Sequence, residues 1–127
     1  MSLANGTAVT TLTASDIDRA KAFWTDKLGL KVIEYPEEAG GVMLEAGNGS
    51  RVFIYNSGEP KATNTAVSFK VDDVLVTVNE LKGKGVTFES YDMPEIKTDE
   101  NNIAHWGDMD AAWFKDSEGN IVCVGNM

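Results

Sequence analysis

The chain has 127 residues, the length of one domain. Its 11 basic and 20 acidic residues leave a formal net charge of −9. That balance excludes a protein that tracks nucleic-acid phosphates with a basic face, and it disfavours adsorption to an anionic membrane. Hydrophobic residues at 43% and charged residues at 24% can supply a core, so the chain is expected to fold rather than stay disordered. No apolar run reaches the ~18 residues of a membrane span, and the opening residues lack a basic region followed by an apolar stretch. A cytoplasmic location is the expectation. Cys123 is the one cysteine, which leaves no internal disulfide and no cysteine-rich zinc site.

Thr7 to Ala14, rich in Thr and Val, reads as a strand. Ser15 or Asp16 then caps a helix, with Asp18 as partner in a short capping box. Ile17, Ala20, Trp24 and Leu28 recur at helical spacing, Phe23 widens their apolar face, and Gly29 ends the helix. Lys31 to Tyr35 is the next expected strand. Val42 to Ala46 and Arg51 to Tyr55 form a hairpin around Gly47-Asn48-Gly49. Residues 57–65 are a polar connector.

The pattern then restarts. Ala66 to Val71 reads as a strand, Asp72 or Asp73 as a cap, and Val74, Val78 and Leu81 as the apolar face of a second helix ending at Gly83 and Gly85. Val86 to Glu89 is expected as a strand and Tyr91 to Gly107 as a long loop. Asp110 to Lys115 and Ile121 to Val124 close a last hairpin around residues 116–120. Asp16 matches Asp73 at an offset of 57, while Gly29 matches Gly85 and Tyr35 matches Tyr91 at 56. This is an internal duplication of a strand–helix–strand–strand–strand unit. A half of roughly 60 residues is marginal alone, so the two are expected to share a core, with helices outside and a cleft between the inner sheet faces.

A duplicated βαβββ unit of this length resembles the vicinal oxygen chelate superfamily, which holds glyoxalase I, bleomycin-resistance proteins, fosfomycin-resistance enzymes and extradiol dioxygenases. Three stretches carry the resemblance. They are Asp16-Ile17-Asp18-Arg19-Ala20-Lys21-Ala22-Phe23-Trp24 with Leu28-Gly29-Leu30; Val71-Asp72-Asp73-Val74 with Leu81-Lys82-Gly83-Lys84-Gly85-Val86; and Trp113 to Asn120. In the last, Ser117 and Glu118 replace the family's usual Pro-Asp, and Gly119 keeps the permissive turn position. The resemblance implies an α+β fold: tandem βαβββ modules forming a curved mixed sheet around a shared cleft. One domain is expected over residues 1–127, with module one at 7–56, a linker at 57–65 and module two at 66–125.

Metal-dependent members of that family project four side chains, typically His, Glu or Gln, into the cleft from the first and fourth strands of each half. Here those positions fall on Val9, Ala66, Cys123 and either Phe53 or Tyr55. Val, Ala and Phe cannot ligate a divalent metal, and Cys123 alone is not a site. No family-type metal and no cofactor are therefore expected. The departure bears on glyoxalase, dioxygenase and fosfomycin–thiol chemistry together.

Period-two alternation places Thr11 and Thr13 on the face of Val9, and Ser68 and Lys70 on that of Ala66. Thr11, Phe53, Tyr55, Ser68, Tyr91, Trp106 and Trp113 are the candidate ligand-binding residues of an aromatic pocket with a few hydroxyls. The alternative is that these aromatics fill the sandwich or a dimer interface. His105 is a general acid–base candidate or an exposed loop histidine. Cys123 is a nucleophile candidate or a packed strand residue. Asp108 and Asp110 form a cation site or a solvated turn.

The expectation that follows is a glyoxalase- and bleomycin-resistance-like protein binding a small organic molecule, neutral or cationic, in a metal-free, aromatic-lined cleft. The resemblance adds a homodimer. Two alternatives stand beside it: a superfamily lyase, isomerase or dioxygenase with an atypical metal site, and a non-catalytic interaction module using Tyr91 to Trp106.

Overall fold

The computed structural model describes residues 3–127. Two compact units divide between Pro60 and Lys61, inside the polar connector. Each contains one four-stranded mixed sheet and one principal helix.

In the first unit, strand β1 (Thr10–Ala14) leads into helix α1 (Ile17–Ala22). Asp16 caps α1 by accepting the Arg19 N–H at 3.0 Å, while Ser15 accepts from the Arg19 guanidinium rather than capping. The helix continues as a wider π turn over Phe23–Lys27. There Leu28 N–H reaches back five residues to Phe23 O at 3.3 Å. Thr25 Oγ1 donates to Lys21 O at 2.8 Å, competing for that carbonyl and favouring the widening. Gly29, at φ 79°, then turns the chain into β2 (Lys31–Ile33).

Strands β3 (Gly41–Glu45) and β4 (Arg51–Asn56) form the expected hairpin. Asn48 and Gly49 take left-handed conformations in its turn, and Ala46 N–H closes on Ser50 O at 2.8 Å. Sheet order is β1-β4-β3-β2, with β1 parallel to β4. Leu12, Ala14, Val42, Leu44, Val52 and Ile54 are buried on one face together with Ala20 and Trp24 of the helical segment. The opposite face carries Thr11, Thr13, Met43, Phe53 and Tyr55.

The second unit repeats the plan. Strand β5 (Thr65–Lys70) precedes α2 (Val74–Gly83), which Asp73 caps through the Val76 N–H at 3.1 Å. The last strands are β6 (Ala104–Trp106), β7 (Met109–Lys115) and β8 (Ile121–Gly125), in the order β5-β8-β7-β6. Val74 and Val78 are buried with Phe114, Val122 and Val124.

Two expectations are corrected in this unit. Val86 to Glu89 is not a strand; only Phe88 bridges to Phe114. The edge position belongs to β6, inside the stretch expected as loop. The reason is local. Trp106 pairs with Met109 across a two-residue turn whose Gly107 sits at φ 60°, so this short hairpin closes with little loop entropy. The segment ahead of it, 90–103, bulges out and holds itself with isolated bridges between Asp92 and Lys97 and between Thr98 and Ala104. Among the described residues, no helix is long and apolar enough to cross a membrane.

Candidate functional site

In the first unit, β-sheet register builds the candidate surface. Thr11 lies opposite Phe53 and Thr13 opposite Tyr55 on the parallel pair, while Met43 and Gly41 lie opposite the same two aromatics on β3. Phe53 and Tyr55 present parallel rings with centroids 6.2 Å apart. Tyr35, beyond β2, packs on Phe53 at 5.2 Å. Tyr35 and Tyr55 are 48% and 39% exposed, so this aromatic cluster is open to solvent on the described unit. The Thr13 hydroxyl donates to Gly58 O at 2.9 Å. Thr11 makes only a long contact, 3.5 Å, to Val9 O. Val9 itself precedes β1 and is exposed.

Gly41 makes room for this cluster. A Cβ there would sit well inside contact distance of Ile54 O and 2.9 Å from Phe53 Cζ. Replacing Gly41 by Ala is expected to cost about 2 kcal/mol, because the backbone of β4 cannot yield cheaply. Urea denaturation measures this, and a neutral result would show that β3 and β4 are not packed this closely.

The second unit places its aromatics differently. Ser68, Cys123 and Trp113 lie in register across β5, β8 and β7. Trp113 meets Tyr91 edge-on at 5.5 Å and Trp106 at 6.1 Å. Ala104, Ala111, Trp113, Ile121 and Cys123 form one cluster, against which Ala62, Tyr91 and Ile96 pack. Trp113 is thus covered by its own module, at 8% exposure, while Trp106 stays 39% exposed. Trp106 Nε1 donates to Glu95 O at 3.3 Å, tying the hairpin to the covering segment.

Burial pushes the Cys123 thiol up, against opposing hydrogen bonds from Ser68 and the Ala112 backbone. Burial, followed by the Glu89 carboxylate and Cys123, raises the Tyr91 phenol. Both groups stay protonated near neutrality, which suits packing rather than nucleophilic attack.

The donor set does not fit a family-type metal. The face positions supply hydroxyls, one thiol with its proton held on, and aromatic rings. Among the described residues, no three His, Cys, Asp or Glu side chains are arranged to hold an ion. Asp99, His105 and Asp110 come nearest, yet the two carboxylates take opposite nitrogens of the imidazole. His105 lies in β6 rather than in a loop, and neither ring nitrogen is left over to act as a base. Asp110 is occupied by His105, and Asp108 O accepts from Asn126 Nδ2 at 3.2 Å.

A groove of about 350 Å³ borders the aromatic cluster at the sheet edge, lined in part by Asp18 and Lys21 of α1 and by Glu34 and Tyr35, and a second concavity of about 410 Å³ is lined by Glu34, Tyr35 and Pro36. Sequence reasoning did not include Tyr35 in the site. The signal was its repeat partner Tyr91: each tyrosine packs on an aromatic ring of its own sheet, Phe53 or Trp113.

These two sheet-and-helix units define a tandem βαβββ protein whose helix-free sheet faces carry aromatics. The chain belongs to the Glyoxalase/Bleomycin resistance protein/Dioxygenase superfamily, whose family model matches residues 6–124. Among solved structures, it is similar to TnmS3, an antibiotic binding protein from Streptomyces sp. CB03234. That match has 18% identity, a TM-score of 0.64, and coverage of 94% of this chain and 95% of that one. It is also similar to a lactoylglutathione lyase from Agrobacterium tumefaciens, at 20% identity and TM-score 0.66, covering 95% and 92%. An integron cassette protein from the mobile metagenome of V. cholerae shares 27% identity at TM-score 0.58, covering 94% of each chain. The comparison with curated proteins gave no match.

Proposed function

We propose that this chain binds a small organic molecule, neutral or cationic, at a metal-free site lined by aromatic side chains, and holds it without transforming it. The observation that carries this reading is the open cluster of Tyr35, Phe53 and Tyr55 on the helix-free face of the first sheet. Exposed aromatic area of this kind is costly to leave in water and suited to a flat, partly apolar ligand. Thr11 and Thr13 flank it on β1; Ser68, Tyr91, Trp106 and Trp113, the other candidate ligand-binding residues, form a separate aromatic group within the second unit. The charge of −9 steers cations toward the protein and anions away. An antibiotic-binding protein among the structural neighbours supports a holding role by analogy of fold. A cytoplasmic homodimer completes the proposal, and light scattering tests the stoichiometry.

The test is calorimetric titration with a panel of planar aromatic compounds, neutral, cationic and anionic. Micromolar binding of neutral or cationic members is expected, weakened roughly tenfold by Tyr55→Ala. Only millimolar binding across the panel would sink the proposal. Elemental analysis of protein purified without chelator is the second check, and a stoichiometric transition metal would overturn the metal-free reading.

A further inference from the structure

His105 stands outside the aromatic face yet is held on both ring nitrogens. Nδ1 contacts Asp110 Oδ1 at 2.6 Å and Nε2 contacts Asp99 Oδ2 at 2.9 Å. The two carboxylates belong to different parts of the second unit. Asp110 is fixed in β7, where its N–H donates to Asn126 Oδ1 at 2.8 Å. Asp99 belongs to the 90–103 segment, and its other oxygen, Oδ1, accepts the N–H groups of Asn101 at 2.8 Å and Ile103 at 3.0 Å. His105 therefore joins the sheet to that segment. The same segment supplies Tyr91 and Ile96 as cover for the cluster around Trp113.

Two carboxylates can both be satisfied only by an imidazolium, which has an N–H on each nitrogen. A neutral imidazole has one. If the short bond to Asp110 keeps it, the Nε2 lone pair faces the Asp99 carboxylate and that contact becomes repulsive. Asp99 keeps its Asn101 and Ile103 bonds in either state, and Asn102 stays bonded to Lys82, Glu89 O and Ser90 Oγ, so the turn pivots away from His105 on its far side. We infer that His105 is a protonation-controlled latch, closing the 99–103 end of the covering segment onto the sheet when charged and releasing it when neutral. This device does not depend on which molecule the aromatic faces bind.

The hydrogen bonds to Asp99 and then Asp110 raise His105 above its ordinary 6.5, with desolvation opposing them. The bond from His105 holds Asp99 below its ordinary 3.8. Lys82 on α2 is directed to Asn102 Oδ1 at 2.8 Å and Asn101 O at 3.4 Å. The signs follow. The tie is complete between the lowered titration of Asp99 and the raised titration of His105. It is lost as pH rises through the His105 value, and again as pH falls through that of Asp99.

Nuclear magnetic resonance on the whole labelled chain, without any ligand, tests this over roughly pH 5 to 9. The amide shifts of Asn101 and Ile103 are expected to move with one midpoint, shared with the His105 ring and above 6.5. Their heteronuclear NOE should fall on the alkaline side. In His105→Asn, those amides should hold their alkaline positions at every pH. In Asp99→Asn, which can keep its turn through the remaining carbonyl oxygen, the His105 midpoint should drop toward its ordinary value and the loop amides should stop following it. A His105 ring that titrates while the loop amides of the unsubstituted protein stay fixed would overturn the latch. So would a His105→Asn protein whose loop keeps the acid-side shifts.

Discussion

Replacing Trp24 by Ala is expected to lower the unfolding free energy by about 4 kcal/mol, which corresponds to a fall of roughly 12–20 °C in the thermal midpoint. Trp24 is 0% exposed and is the largest fully buried side chain among the described residues. It shares the interior of the first unit with Leu12, Ala14, Ala20, Leu44, Val52 and Ile54. None of these is large enough to refill its volume by changing rotamer, so most of the cavity persists. Trp24 also begins the exit from the π turn, since its carbonyl accepts the Leu30 N–H at 3.1 Å. Wider helical spacing, rather than an ordinary α turn, carries the chain from Trp24 to Gly29. Trp24→Phe retains most of the burial and should cost about 1.5 kcal/mol. Urea unfolding followed by circular dichroism gives both values. A loss below about 1 kcal/mol for the alanine variant would mean that the first unit's core does not depend on this ring.

Trp24 was legible in the sequence because helical spacing from Ile17 and Ala20 marks it. The π turn was not, because nothing in an apolar spacing of 3 and 4 distinguishes a five-residue return from a four-residue one. The duplicated unit, its two Asp caps and its glycine stops were readable because each is a local signal. Strand β6 was missed although Gly107-Asp108 is a two-residue hairpin signal. The acidic, Pro-containing stretch ahead of it dominated the reading, and a strand of three residues has little periodicity to show. Val86 to Glu89 had the better alternation and lost the edge to this closer hairpin. The site divides the same way. Register could place Thr11, Phe53 and Tyr55 on one face because alternation is strict within a strand. It could not show that Tyr91 and Ile96 cover Trp113, since that depends on how an irregular segment returns. Nor could it show that His105 meets two carboxylates, one of them six residues before it and one five after it.

Asp116→Ala is expected to cost about 3 kcal/mol, through hydrogen bonds rather than volume. Its carboxylate sits inside the β7–β8 turn, 6% exposed. Oδ1 accepts the N–H groups of Glu118 at 2.9 Å and Asn120 at 2.8 Å, and Oδ2 accepts from Asn120 Nδ2 at 2.9 Å. Alanine would leave these three donors without their acceptor in a turn too enclosed for water to replace it freely. Gly119 is required separately, at φ 101°. Asp116→Asn keeps one acceptor oxygen but turns an amide toward that of Asn120 or toward the backbone N–H groups, so about half the alanine loss is expected. The turn also fixes the pairing of Lys115 with Ile121, and hence of Trp113 with Cys123. Tryptophan fluorescence of folded Asp116→Ala should therefore shift to the red as Trp113 gains water, in addition to the lower urea midpoint. A variant with unchanged emission and unchanged midpoint would show that the hairpin holds its register without this carboxylate.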